Sequence, residues 1–161
     1  MVRVPQNYIP RSLTNTQARF QRKQLQKSRK GYQKKQYHTR KRVPGYKSRR
    51  TSWAKRAESI YGIHDIQNIT MDKVSKATRC SKNALNDIVR KGMGAYYSAG
   101  SRPNQTAHSW GYARLYSAIS GGPASKVDLH ILEKGCSKKS KALKLARLSR
   151  RLPRNKTIRF G

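Results

Sequence analysis

The side chains best able to ligate a metal are His38, His64, His108, His130, Cys80 and Cys136. They are scattered along the chain. Only His130 and Cys136 lie near each other, and Gly135, read as a helix stop, separates them. No four-ligand spacing of the kind that holds structural zinc is present. The two cysteines form no CxxC pair, and the plain reading is two reduced thiols. Nucleophilic chemistry fares no better. There is no GxSxG elbow, and Ser101 and His108 lack an evident third partner. Asp128 and His130 stand two apart on an expected helix and face different sides. The chain has only six carboxylates, most of them expected to offset nearby lysines and arginines, which leaves little acid–base machinery. The expectation is a non-enzymatic protein with no cofactor, no metal and no small-molecule substrate.

The chemistry the residue types do support is charge. Lysine and arginine number 38 against six acidic residues, a formal net charge of +32. Self-repulsion at that density opposes compaction and calls for a polyanionic or acidic partner. The distribution is uneven. Residues 1–50 hold 16 basic residues and no acid; residues 51–133 hold 11 basic and all six acidic residues; residues 134–161 hold 11 basic residues and no acid. Two cationic arms therefore flank a nearly ordinary centre. The residues expected to meet the partner are Arg19, Arg22, Lys23, Arg40, Lys41, Arg42, Arg49 and Arg50 in the first arm. Arg150, Arg151 and Arg154 join them from the second. If about 10 such cations neutralised phosphates, affinity would fall with salt at a log–log slope near −9. Tyrosines interleaved with the cations could stack on bases or pack in a protein groove.

Two central segments add candidates. Val74 to Val89 has the spacing of a helix-turn-helix, with Val74, Ala77, Cys80, Leu85, Ile88 and Val89 inward. Lys82, Asn83, Asn86 and Arg90 would project outward, where they could contact DNA. Arg79 stands where the turn prefers glycine, and Asp87 has the wrong sign for phosphate, so a plain helical hairpin is the competing reading. Gly92 to Thr106 is dense in glycine and tyrosine. It carries no GxxxxGK[ST] and no preceding strand, so it is no phosphate-binding loop. Gly94 and Gly100 are expected to supply positive φ or close backbone approach. Tyr96, Tyr97 and Arg102 are expected to form a docking surface, with packing of the tyrosines in the core as the alternative.

The elements that must position these residues read as helices. Leu13 to Lys30 is helix-like, capped by Ser12 or Thr14 and ended by Gly31, and Gly31 to Arg50 is expected to be extended. Further helices are predicted over Trp53–Tyr61, Met71–Thr78, from the Ser81 cap to Gly92, over Ala107–Ile119, from Pro123 to Lys134, and over Lys138–Arg151. Strand alternation is absent, so the fold class is all-α: a small multi-helix domain over residues 51–133 with basic arms at 1–50 and 134–161. No stretch approaches the ~20 apolar residues of a membrane span.

Three strings carry a resemblance: Ala77–Leu85 (ATRCSKNAL), Lys91–Gly111 (KGMGAYYSAGSRPNQTAHSWG) and Gly121–Asp128 (GGPASKVD). They resemble a domain, without an assigned activity, of small basic proteins of large eukaryotic DNA viruses of the phycodnavirus and mimivirus-like groups. The resemblance implies a viral origin and no catalytic residues. It also implies a virion component, made inside the cell during assembly. The function so expected is that of a minor capsid protein, cementing capsid subunits through its helical domain and arms. The alternative is a genome-binding protein that places the arms and the helix-turn-helix-like pair on nucleic acid.

Overall fold

A computed structural model describes residues 3–48 and 52–159. It is all-α: eight α-helices and two 3-10 turns, with no strand among the described residues. The helices are α1 (Asn15–Gln33), α2 (Ser52–Tyr61), α3 (Met71–Thr78), α4 (Lys82–Ser98), α5 (Ala107–Ile119), α6 (Pro123–Val127), α7 (Leu129–Gly135) and α8 (Lys141–Arg150). None is long and apolar enough to cross a membrane.

The chain divides into two compact units, and not at the borders of the three charge zones. Unit 1 is Met1–Arg49 with Lys91–Gly111; unit 2 is Arg50–Arg90 with Tyr112–Gly161. The N-terminal segment is therefore half of a folded unit and not a free arm. Its other half is the end of α4, the loop after it and the start of α5. The sequence reading ended the fourth helix at Gly92. In the structure α4 runs through Gly92 and Gly94 to Ser98, and Gly94 has neither positive φ nor a close neighbour. Gly100 meets the expectation. Its φ is +119°, and a Cβ there would lie 2.7 Å from Leu25 Cδ2.

Unit 1 is built around α1. Thr14 caps it reciprocally with Gln17: Gln17 N–H donates to the Thr14 hydroxyl at 3.2 Å, and Thr14 N–H donates to Gln17 Oε1 at 3.0 Å. Its apolar stripe is thin, and Leu25 alone of it is fully buried. The stripe is completed by polar groups that find partners. Gln21 Nε2 donates to the carbonyls of Tyr8 and Ser101, both at 3.1 Å. The sequence reading expects an extended segment from Gly31; in the structure α1 continues to Gln33, and residues 36–43 after it have no regular secondary structure and no strand partner among the described residues. Side chains satisfy their backbone instead. Lys41 N–H donates to Gln24 Oε1 at 3.1 Å and Val43 N–H to Asn104 Oδ1 at 2.7 Å. Asn104 Nδ2 donates to the Tyr46 carbonyl at 2.6 Å.

Unit 2 has the larger apolar core, including Leu85, Ile88, Leu115, Ile119, Leu132, Leu143 and Ala146. The predicted Pro123–Lys134 helix is two helices that meet at Asp128. That carboxylate is fully buried and accepts a two-pronged ion pair from Arg114, 2.8 Å on each oxygen. The helix-turn-helix-like segment forms α3 and α4, joined by Arg79, Cys80 and Ser81. Arg79 takes a left-handed conformation, φ +57°.

The cysteines correct the sequence reading: Cys80 and Cys136 form a disulfide. They face each other in an isolated antiparallel bridge. Ser81 N–H donates to the Gly135 carbonyl and Ser137 N–H to the Arg79 carbonyl. The two cysteines are thus a non-hydrogen-bonded pair, the register that brings Cα atoms closest. A separation of 56 residues hides the pairing from local spacing. Closing a loop that long removes about 4 kcal/mol of chain entropy from the unfolded state.

The C-terminal tail is also held rather than loose. Lys126 Nζ donates to the carbonyls of Pro153 at 2.8 Å and Lys156 at 3.0 Å, and Arg56 to that of Ile158 at 2.8 Å.

Candidate polyanion interface

Charge separates the two units more sharply than it separates the linear zones. Unit 1 comprises 70 residues with 17 lysines and arginines and not one aspartate or glutamate. All six carboxylates lie in unit 2. There five accept from an N–H donor within 3.2 Å, Ile66 N for Glu58, Asn68 for Asp65, Lys82 for Asp72, Arg90 for Asp87 and Arg114 for Asp128, while Glu133 forms a looser ion pair with Arg147 at 3.7 Å. No group of three or more His, Cys, Asp or Glu among the described residues is placed to hold a metal ion.

A unit without carboxylates must still bury whatever cation its core contains. Arg40 is that cation, 9% exposed. Its Nη1 donates to the Ser28 hydroxyl at 2.7 Å and to the Tyr96 carbonyl at 2.9 Å, and Nη2 donates to the Ser101 hydroxyl at 2.8 Å. The guanidinium carbon sits 3.7 Å from the centroid of the Tyr96 ring, so the ring's electron-rich face also meets the charge. The Tyr96 carbonyl belongs to the last turn of α4. Arg29 donates to the carbonyl of Ala99, just beyond the helix, at 2.9 Å. Two arginines thus cap the negative end of the α4 dipole, which supplies part of the counter-charge that a carboxylate would otherwise provide. Burial still lowers the Arg40 pKa from its ordinary value, with Tyr96, Tyr8 and Tyr97 opposing the shift.

With Arg29 drawn inward, the other cations of α1 face solvent. A shallow furrow of ≈ 500 Å³ follows the helix, lined by Lys23, Gln26, Lys27, Lys30, Lys34 and His38. A second hollow of ≈ 220 Å³ shares Lys27 and His38 and adds Phe20, Ser28, Arg40 and Lys41. Positions 23, 27 and 30 fall on one helical face with Lys34 at its C-cap, and steps of three and four residues place successive Cβ atoms about 5–6 Å apart. That regularity was available in the sequence. Lys27, Lys30 and Lys34 are not among the cations expected from the densest charge runs, because their common face emerges only at helical spacing.

The structure sorts the predicted contacts. Arg19, Arg22, Lys23, Lys41, Arg42 and Arg102 are exposed in unit 1. Arg40 and Tyr96 are not surface contacts: both are buried, Tyr96 completely, and its hydroxyl accepts Arg40 N–H at 2.9 Å. Tyr97 is half-buried between Tyr37 and Tyr96. Arg49 and Arg50 lie outside the described residues. Arg150, Arg151 and Arg154 are exposed in unit 2. The expected DNA face of α4 is compromised by acid. Lys82 pairs with Asp72 at 2.9 Å and Arg90 with Asp87 at 3.2 Å, and the Lys82 hydrogen bond lowers the Asp72 pKa. Asn83 is exposed and Asn86 half-buried. Two of the four outward side chains are therefore engaged by carboxylates, as in a structural hairpin.

No curated protein and no solved structure matches the chain. A family model does match, over residues 5–129. That span takes in the N-terminal segment from residue 5, all three strings singled out in the sequence and all of α1 to α6. The chain belongs to the Family of unknown function (DUF5824).

Proposed function

We propose that the protein is a non-enzymatic nucleic-acid-binding protein that grips the phosphate backbone through unit 1, without reading sequence. The observation that carries this is a folded unit of 70 residues with 17 cations and no carboxylate, furrowed along the lysine face of α1. Nothing inside the unit neutralises that face, so an external polyanion gains most by lying on it. The lining is lysine-rich, and lysine is a point-charge partner for phosphate. Protein–protein interfaces are depleted in lysine, which counts against the other expectation, a minor capsid protein laid on acidic shell subunits. The acidic neighbours of α4, Asp72 and Asp87, count against the helix-turn-helix-like pair as the contact and in favour of α1.

The test is binding of fluorescent DNA by the full chain across a salt series. The expected result is a steep negative log–log slope. Replacing Lys23, Lys27, Lys30 and Lys34 together by alanine should make that slope shallower by about 3–4. A flat salt dependence, or a quadruple variant that binds like the parent, overturns the proposal. In DNA-free particles, retention at fixed copy number would favour the shell reading instead.

A further inference from the structure

The geometry points to unpaired strands, rather than duplex, as the ligand of unit 1, with Tyr32 and Tyr37 as the platform on which bases stack. This deepens the nucleic-acid reading and rests on it.

Among the described residues of unit 1, Tyr32 and Tyr37 are the exposed large apolar side chains, at 41% and 63%. They are not loose. Their rings meet edge-on, centroids 6.0 Å apart at 63°. Tyr37 meets Tyr97 at 5.3 Å and 65°, and Tyr97 meets buried Tyr96 at 5.1 Å and 89°. A run of four rings therefore leads from solvent to the core, where Arg40 closes it over Tyr96. An edge-to-face contact uses the edge of one ring and one face of the other, so a ring that offers a face still keeps the opposite one, and Tyr37 is 63% exposed.

The backbone holds this platform in place before any ligand arrives. Gly31 accepts N–H donation from Lys34 and from Gln36, both at 2.9 Å, and Lys35 takes φ +58°. The chain thereby folds back on the end of α1. A Cβ at Gly31 would stand 2.4 Å from His38 Cδ2 and 3.1 Å from the Gln36 carbonyl oxygen, so a larger residue there would displace the His38 ring and press on the return. That return brings Tyr37 beside Tyr32. Lys34 and Lys35 fall between the two tyrosines in sequence, and Lys34 lines the phosphate furrow. A strand whose phosphates follow Lys23, Lys27, Lys30 and Lys34 would then reach the rings with its bases. Duplex bases are already stacked on each other and cannot do so; unpaired bases can. The plainer reading, two tyrosines left in solvent, predicts that removing them changes neither single-strand nor duplex affinity.

The test uses the full chain and fluorescence anisotropy, with a homopolymeric single strand and a duplex of equal length at matched salt. The Tyr32→Ala, Tyr37→Ala double variant should lose about tenfold or more in single-strand affinity. Its duplex affinity should stay within about twofold of the parent, since no phosphate contact is removed. Tyr37→Phe, which keeps the ring, should keep single-strand affinity. Because both tyrosines are exposed, the double variant should show an unchanged far-ultraviolet circular dichroism spectrum. A double variant that binds single strands as the parent does overturns the stacking platform and leaves the phosphate grip standing. A parent that binds neither form overturns both.

Discussion

Arg40 shows why a residue type alone misleads about its role. In sequence it stands in a run with Lys41 and Arg42, and all three look like phosphate contacts. In the structure Arg40 is the keystone of unit 1, and its neighbours face water. The distinguishing signal lies far away in the chain, in Ser28, Tyr96 and Ser101. Lysine at position 40 would keep the charge but lose the planar fork that serves three acceptors at once. Arg40→Lys should destabilise the protein by about 2–3 kcal/mol, with buried acceptors left unpaired, and thermal unfolding would show it. Lys41→Ala should leave the midpoint nearly unchanged, since exposed substitutions stay within about 0.5 kcal/mol.

Tyr61 offers a second test at this scale. Its hydroxyl donates to the Ile119 carbonyl, and burial pushes its pKa well above the ordinary tyrosine range. The folded state therefore holds the phenol proton more tightly than the unfolded state. The associated stability is fully present below the ordinary value of about 10 and declines as pH rises beyond it. Tyr61→Phe should cost about 1 kcal/mol at neutral pH through the lost hydrogen bond. The gap between parent and variant in denaturant titrations should shrink above about pH 10.

At the scale of elements, most helices were legible. Caps, stops and apolar spacing located α1, α2, α3 and α5 closely, because those signals are local. The failures have physical causes. Gly31 and Gly92 read as stops, but α1 runs on to Gln33 and α4 to Ser98, since a helix tolerates glycine when tertiary packing holds it. Packing also overrode the single helix predicted from Pro123: buried Asp128, held by Arg114, marks a break that sequence periodicity does not show. The α3–α4 turn carries a different conflict. Arg79 occupies a left-handed conformation, φ +57°, which costs an L-residue about 1–2 kcal/mol. Glycine adopts it freely but loses more entropy on folding. Arg79→Gly should therefore stabilise the fold by about 0.5–1 kcal/mol, measurable as a raised unfolding midpoint. A lowered midpoint would mean that the Arg79 side chain makes a compensating contact.

At the scale of the molecule, total charge was legible and its partition was not. The zones counted along the chain place a neutralising centre between two arms. The folded partition draws residues 91–111, which contain no acid, into the company of the first segment. That gathers an acid-free unit which no linear window contains. The candidate furrow follows from that gathering, so the sequence could suggest a polyanion partner without locating its seat. The same partition changes what a truncation means. Deleting residues 1–50 removes Leu25, Gln21 and Arg40 from around Tyr96 and Gly100, so the remainder should lose compactness as well as affinity. Limited proteolysis should find new cleavage between residues 91 and 111 of the truncated chain; protection equal to that of the parent would contradict the division.

The interleaving of the units also imposes a schedule on biosynthesis. Residues 3–48 emerge from the ribosome long before residues 91–111 exist. At about 5–20 residues per second the wait is roughly 3–12 s. Throughout that interval α1 has no Tyr96 carbonyl for Arg40 and no Ala99 carbonyl for Arg29 to satisfy. The nascent segment is then a bare polycation leaving a particle made largely of RNA, so ribosomal phosphate is the first surface able to compete with its own later half.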